Sequence, residues 1–303
     1  MRAAIALPFA LLATAAVAAP ARPPIVAVSH IAVYAADLAK SESFYVHDLG
    51  ALKAPDPEDP KGTRYYFNAT QFVEVLPLPD GAGKNRLDHV AFRTSDVAAL
   101  RAYLIANRVS AGRVRRGTDG SRWFDTADPE GNKVEFVQPP ASPAPVPANP
   151  LASHIIHVGY IIHDQAKEDA FYKTLLGFRP YWFGGGEGKP TAWISIQVPD
   201  GTDWLEYMVQ PGPPDRGIPE AMNQATAGVL DHFSLGVANI RDAVTLLTAA
   251  DRISGKSDGP KIGRDGKWQY NLYDPDGTRA EIMEFHAVAK PCCSPFTASD
   301  PEK

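Results

Sequence analysis

Four histidines and four glutamates recur in one order along this 303-residue chain. His30 is followed by Glu74, His89 by Glu135, His157 by Glu206 and His232 by Glu281, at separations of 44, 46, 49 and 49 residues. Each His stands in an apolar run early in its repeat, and each Glu in an apolar run at its end. A unit folded four times would place the eight side chains at equivalent positions. Imidazole and carboxylate are the ligands taken by Zn, Mn, Fe, Co and Ni. A single His in an apolar strand is ordinarily a core residue bonded to a carbonyl. A single Glu between Val73 and Val75, or between Ala280 and Ile282, ordinarily faces solvent. Packing needs alone do not produce the pairing four times, so the repeat points to at least one metal site, and to two if both halves of the chain keep it.

The elements that must position these residues also repeat. β-rich runs at 25–34, 87–93, 155–162 and 230–237 carry the histidines. Helical periodicity follows at 36–49, 97–106, 165–176 and 240–250. The first and third of these helices hold the pairs Phe44-Tyr45 and Phe171-Tyr172, and each closes on Leu-Gly (Leu49-Gly50, Leu176-Gly177), where Gly supplies a left-handed cap. In the second repeat a strand at 122–125 leads through Asp128-Pro129-Glu130-Gly131 into a strand at 133–137. In the fourth a strand at 268–273 leads through Asp274-Pro275-Asp276-Gly277 into 279–285. Asp-Pro-x-Gly between apolar runs is turn chemistry. Each repeat therefore reads strand–helix–strand–strand–strand. Alternation along the first strand puts Ile31 and Val33 on one face and His30 and Ala32 on the other, so one face can pack while the His face lines a cavity.

Composition bounds the rest. The chain is 45% hydrophobic and 21% charged, with a net charge of −5 and a pI of 5.9. These values fit a soluble globular protein and give no reason to expect nucleic acid or an anionic membrane as partner. Residues 1–18 have a basic start, an Ala-rich apolar run and a small-x-small end at Ala16-Val17-Ala18. This is the pattern of a secretory signal peptide, so export to a periplasm or beyond is expected, with no membrane attachment after cleavage and a net charge of about −6 in the mature chain. The prolines of 139–152 mark a linker. Cys292 and Cys293 are adjacent in the tail. A vicinal disulfide, an intermolecular bridge and free thiols are all open, and no catalytic role is expected of them. His163 reads as a surface residue and His47 and His286 as element-end residues, while His154, three residues before His157, is pointed by the pleat to the opposite face. The loop Phe183-Gly184-Gly185-Gly186-Glu187-Gly188-Lys189-Pro190 lacks a phosphate-loop pattern and is either a connection or a flap. Four of the five tryptophans, Trp182, Trp193, Trp204 and Trp268, fall in the second half. That half is therefore favoured as the active one, with aromatic side chains to wall a pocket.

These repeats, the strand-one histidines, the Phe-Tyr helices and the segments from Asp128 to Phe136 and from Asp274 to Ile282 resemble the vicinal oxygen chelate superfamily. That superfamily includes glyoxalase I, extradiol ring-cleaving dioxygenases, fosfomycin resistance proteins and methylmalonyl-CoA epimerase. The resemblance implies an α+β fold of four βαβββ modules, paired into two open, barrel-like halves at 26–138 and 153–287, with a tail at 288–303. It implies a divalent metal (Ni, Zn, Co, Mn or Fe) held by His157, Glu206, His232 and Glu281, with a second possible set in His30, Glu74, His89 and Glu135.

Two reaction classes follow from the resemblance. In a glyoxalase-like lyase or isomerase acting through a metal-stabilised enediolate on a small oxygenated substrate, Glu281 and Glu206 are the candidate bases. In an extradiol-type dioxygenase, His157, His232 and Glu281 would hold Fe(II). This chain departs from the dioxygenase pattern at Asn271, where a Tyr is usual, and at Glu206, near which a second-shell His is usual. A third reading, a small-molecule binding protein of the bleomycin-resistance type, is opposed by the ligand residues, which such proteins lack. Monomer and homodimer are both compatible with the sequence.

Overall fold

The computed structural model describes residues 21–210 and 231–301. The expected leader and Leu230, the expected first residue of the fourth repeat's strand, lie outside them. Two eight-stranded mixed sheets form the body. In chain order the strands of the first are β1 (Ile25–Ala35), β2 (Leu52–Pro55), β3 (Thr63–Asn68), β4 (Gln71–Pro77), β5 (Leu87–Thr94), β6 (Arg115–Arg116), β7 (Arg122–Ala127) and β8 (Lys133–Gln138), and those of the second are β9 (Ile155–Ile162), β10 (Arg179–Gly184), β11 (Trp193–Gln197), β12 (Trp204–Val209), β13 (His232–Val237), β14 (Ser257–Ile262), β15 (Trp268–Tyr273) and β16 (Arg279–Glu284). Their orders in the sheets are β2-β3-β4-β1-β5-β8-β7-β6 and β10-β11-β12-β9-β13-β16-β15-β14. The second order is the first with eight added to every number, so the halves share one topology, and each pairs two consecutive βαβββ modules.

In the first half β1 (Ile25–Ala35) lies between β4 (Gln71–Pro77), its parallel neighbour, and β5 (Leu87–Thr94), its antiparallel one. β5 in turn runs parallel to β8 (Lys133–Gln138). In the second half β9 (Ile155–Ile162) lies between β12 (Trp204–Val209) and β13 (His232–Val237), and β13 runs parallel to β16 (Arg279–Glu284). These four central strands of each sheet carry the ligand-type residues. Alternation does the sorting, as expected from the sequence. Ile31, Val33, Val73, Val75, Val90, Phe92, Val134 and Phe136 enter one apolar core that continues through both halves. His30, Glu74, His89 and Glu135 project from the opposite face.

The expected helices at 97–106 and 240–250 are α2 (Val97–Ala106) and α4 (Ile240–Ala249), capped by Asp96 and Asn239. The first and third differ from the expected continuous α-helix. α1 (Leu38–Glu42) and α3 (Gln165–Asp169) are short, and each passes into a π-wound turn at Ser43–Asp48 or Ala170–Leu175. The wider turn accommodates one extra residue, and both members of each Phe-Tyr pair are buried. Gly50 and Gly177, at φ of 72° and 80°, then close the turns as left-handed caps.

Those buried tyrosines join the halves. Tyr45 donates to Asp274 Oδ2 across the interface at 3.0 Å. Tyr172 meets Tyr160 at 2.6 Å, and Tyr160 donates to Asp128 Oδ2 at 3.2 Å. Asp128 and Asp274 are the first residues of the Asp-Pro-x-Gly turns, and each also accepts from the backbone N–H groups of its own turn. Gln71 bonds both the N–H and the C=O of Ile155, while Asp203 accepts from Val28 N–H at 3.0 Å. The motifs that carried the resemblance thus serve the docking of one half on the other.

The tail turns back over the second sheet. Thr297 N–H bonds Tyr181 C=O, Ser294 Oγ bonds both the N–H and the C=O of Phe183, and Asp300 pairs with the buried Lys267 at 2.8 Å. Cys292 and Cys293 form a vicinal disulfide. Phe183 and Gly184 belong to β10 (Arg179–Gly184), so the glycine-rich loop begins at Gly185.

Candidate metal centres

In the first half the two imidazoles approach edge to face, with His30 Nε2 and His89 Nε2 2.9 Å apart. Glu74 Oε2 lies 3.5 Å and Glu135 Oε1 3.6 Å from His30 Nε2, and they lie 3.8 and 3.9 Å from His89 Nε2. Two nitrogens each about 2.1 Å from one ion, at right angles, are about 3.0 Å apart. The two carboxylate oxygens, Glu74 Oε2 and Glu135 Oε1, are buried without a hydrogen-bond partner. Four donors converging on a common point, two of them orphaned, fit a divalent cation.

Neighbouring residues hold these donors in place. His89 Nδ1 bonds Asp88 Oδ2 at 2.6 Å, and Asp88 also accepts from Lys133 Nζ at 2.6 Å and from Tyr34. With Nδ1 engaged, Nε2 presents its lone pair to the centre. The His30 ring stacks on Phe72 at 4.3 Å, and the Arg64 guanidinium lies 4.2 Å over the same Phe72 ring. Arg64 is itself bound by Asp56 at 2.9 Å and by Glu58.

The electrostatics of the cluster suit a cation. Burial, reinforced by Asp56 and Glu58, pushes Glu74 well above the usual carboxylate range; burial with Glu58 and Glu74 does the same to Glu135. Burial, then His89, holds His30 well below the ordinary imidazole value.

The second half has the same residue types, with the ligand atoms of His157, Glu206 and His232 within 4.8 Å of one another and each carboxylate beside one imidazole. His157 Nε2 and His232 Nε2 are 3.0 Å apart, Glu281 Oε2 is 3.2 Å from His157, and Glu206 Oε2 is 3.2 Å from His232. His157 stacks on Trp204 at 4.6 Å, at the register where the first half has Phe72. The His232 ring lies directly over Gly159: a Cβ there would stand 2.1 Å from the imidazole. Burial raises Glu206, opposed by His157 and reinforced by Glu281. For Glu281 burial also raises the pKa, but the His157 hydrogen bond and the Arg279 charge outweigh it and hold the group at about 2.

Enclosure separates the two centres. Glu206 and Glu281 line a cavity of about 320 Å³ walled by Trp182, Trp193, Tyr273 and Met283, and 15% of the Glu206 side chain is exposed. In the first half Glu74 and Glu135 retain only 4% and 2%. A nearby cavity of about 380 Å³ is lined by Arg64, Phe72 and residues 139, 140 and 142–146 of the proline-rich linker, and none of the four ligand-type residues reaches its wall.

A sequence profile of the Glyoxalase/Bleomycin resistance protein/Dioxygenase superfamily matches residues 27–136 and 154–282. The chain belongs to that superfamily. No curated protein sequence matches it. Several solved structures share the superfamily's four-module plan. The chain aligns with homoprotocatechuate 2,3-dioxygenase of Brevibacterium fuscum at 20% identity and a TM-score of 0.63, covering 88% of this chain and 82% of that one. The same enzyme from Arthrobacter globiformis aligns at 19% and 0.65, covering 89% and 83%. The 2,3-dioxygenase LapB of Pseudomonas sp. KL28 aligns at 18% and 0.66, covering 91% and 97%. At these identities the likeness is one of fold.

Within this superfamily fold the residues singled out in the sequence gather into two clusters: the ligand atoms of His30, Glu74 and His89, and those of His157, Glu206 and His232, lie within 4.8 Å of one another, with Glu135 and Glu281 beside them. The remaining histidines bond carboxylates elsewhere: His47 with Asp48, His154 with Asp203, His163 with Glu130 and His286 with Asp300. Sequence reasoning missed Asp88, Arg64 and Gly159. Asp88 had a signal, because an Asp directly precedes the second His of each half, at Asp88-His89 and Asp231-His232. Gly159 had none.

Proposed function

We propose that the C-terminal half is a divalent-metal-dependent active centre of the lyase/isomerase type, acting on a small substrate with two neighbouring oxygens. The observation that carries this is the cluster of His157, Glu206, His232 and Glu281, whose two glutamates line a 320 Å³ cavity. A divalent ion held there supplies Lewis-acid pull on the substrate oxygens. His157, His232 and Glu281 serve as the fixed donors. Glu206, which keeps access to the cavity, is the general base: it takes the proton from the carbon beside a substrate carbonyl and returns it one atom away. Trp182, Trp193 and Tyr273 orient the substrate body and exclude water. In the N-terminal half His30, Glu74, His89 and Glu135 hold a second ion in a closed, structural role, since structural sites are enclosed and catalytic sites keep an open position.

The test is metal analysis of anaerobically prepared protein, followed by NMR of solvent deuterium uptake into α-oxygenated carbonyl compounds. Exchange in the presence of Ni, Zn, Co or Mn, lost in Glu206→Gln, supports the reading. No exchange with any metal removes it.

A second reading, an extradiol-type dioxygenase, is favoured by one observation: the four-module fold is shared with homoprotocatechuate 2,3-dioxygenase and LapB. Fe bound by His157, His232 and Glu281, together with oxygen uptake on catechols, would select it. Export belongs to either reading. It is supported by the composition of residues 1–18 and by the Cys292–Cys293 disulfide, which suits an oxidising compartment. N-terminal sequencing of the mature protein tests it.

A further inference from the structure

The charges lining the C-terminal cavity do not balance once the centre is filled. Three cations line it, Lys261, Arg264 and Arg279, against four carboxylates, Asp258, Asp265, Glu206 and Glu281. A divalent ion on the two glutamates leaves an excess of one positive charge, with every acid counted as ionised. Lys261 is already paired with Asp258. The excess therefore rests on the two guanidiniums.

Neither arginine has a carboxylate partner among the described residues. In the first half the residue at the register of Arg279 is Lys133, bound to Asp88. Arg279 makes no such bond to Asp231, and its Nε is buried without a hydrogen-bond partner. Arg264 sits in the turn that joins β14 (Ser257–Ile262) to β15 (Trp268–Tyr273). Its Nε donates to Gly185 C=O at 3.1 Å and one terminal nitrogen reaches Cys292 Sγ at 2.8 Å. The Cys292 C=O also accepts from Trp182 Nε1 at 3.2 Å. One segment of tail thus contacts two residues that wall the cavity.

The strand register gives the spacing. Glu281 pairs with Asn271, and Met283 with Gln269, which pairs in turn with Lys261. The second row lies about 7 Å along the sheet from the first, and the turn bearing Arg264 lies beyond it. Arg264 thus lines the same cavity as the two glutamates but further along the sheet, and Trp182, Trp193 and Met283 supply an apolar lining.

We propose that this cavity selects an anionic substrate whose acid group is received by Arg264, and that the Cys292–Cys293 segment is a positioning element for that arginine. The inference rests on the C-terminal metal centre proposed above. The test is calorimetric titration of full-length, Zn-loaded protein with 3,4-dihydroxybenzoate and with its uncharged methyl ester, with zinc content measured on each sample. The acid is expected to bind at least about tenfold tighter than the ester, as a charge-assisted bidentate contact allows. Arg264→Gln should remove that preference and leave the ester's affinity unchanged. Cys292→Ala/Cys293→Ala should reduce it several-fold, again with the ester unmoved, whereas a merely structural role would weaken both ligands together. Equal affinity for the two probes, failure of both to bind, or a preference that survives Arg264→Gln overturns the proposal. Zinc at the C-terminal centre without an acid preference refutes this inference alone; absence of zinc there refutes the metal reading as well.

Discussion

At the register of Glu74 the neighbouring strand of the first half carries Arg64; at the register of Glu206 the second half carries Ser195. Opposite Glu135 stands Asp125, and opposite Glu281 stands Asn271. Beside His89 is Ala32, and beside His232 is Gly159. The ligand types have not changed between halves, but the residues one strand away have. In the first half they fill the interior with a guanidinium, two further acids and a linker wall. In the second they leave a cavity lined by aromatic rings and by two arginines that have no carboxylate partner among the described residues. A duplicated fold can keep one donor set twice and still assign the copies different work, because access is decided by neighbours rather than by ligands.

The contrast can be broken most directly by removing ligands. His232→Ala should lower turnover by on the order of 10³ or more and release the C-terminal ion. His89→Ala should leave turnover within a few-fold and lower the melting temperature instead. Steady-state kinetics and thermal unfolding of both variants check this, and equal losses of turnover would end the distinction. Gly159→Ala forces the His232 ring away and should weaken metal binding by about 10- to 100-fold, the scale seen when the support of a ligand is lost; competition with a chromogenic chelator measures it. Chelator exposure of the wild type should remove metal in two phases, the fast one erased by His157→Ala and the slow one by His30→Ala.

Smaller effects sharpen the comparison at the interface. The Asp128 side holds a second buried acid, Glu168, which burial and the Asp128 charge push up to about 9. An acid raised in the folded state binds its proton more tightly there. Its stabilising contribution is complete below its unfolded value near pH 4.5 and is lost as pH rises through about 9. Glu168→Gln should therefore match the wild type at pH 4.5 and melt a few degrees higher at pH 8.5, on the order of 1–2 kcal/mol for a chain of this size. Tyr45→Phe, which removes one hydrogen bond to Asp274, should cost about 1 kcal/mol in chemical denaturation.

Much of this was legible in the residues. The fourfold His–Glu order singled out the eight side chains that the fold draws into two clusters, and period-2 alternation along the first strand placed His30 on the face away from the core. The Leu-Gly caps and Asp-Pro-x-Gly turns behaved as their chemistry requires, with Gly131 and Gly277 at φ of 87° and 93°. The π-wound turns were not legible, because they depend on where Tyr45 and Tyr172 must reach in the other half. Gly159 was silent for a related reason: the ring that needs its missing Cβ arrives from a strand more than seventy residues later. The return of the tail over β10, and its contacts with Trp182 and Arg264 of the cavity wall, likewise rest on residues remote in sequence.

The crosswise tyrosines have a consequence for how the chain comes apart. Tyr45 of the first module bonds the turn of the fourth, and Tyr172 of the third is linked to the turn of the second through Tyr160. Each half therefore holds an acid that accepts from a tyrosine of the other, and the core runs unbroken between them. A nick within residues 141–148 would cut the covalent tether and leave this mutual grip intact. Two separately expressed fragments should accordingly behave as the partners of an obligate heterodimer: poorly soluble alone, and recovered as one cooperatively melting particle when mixed.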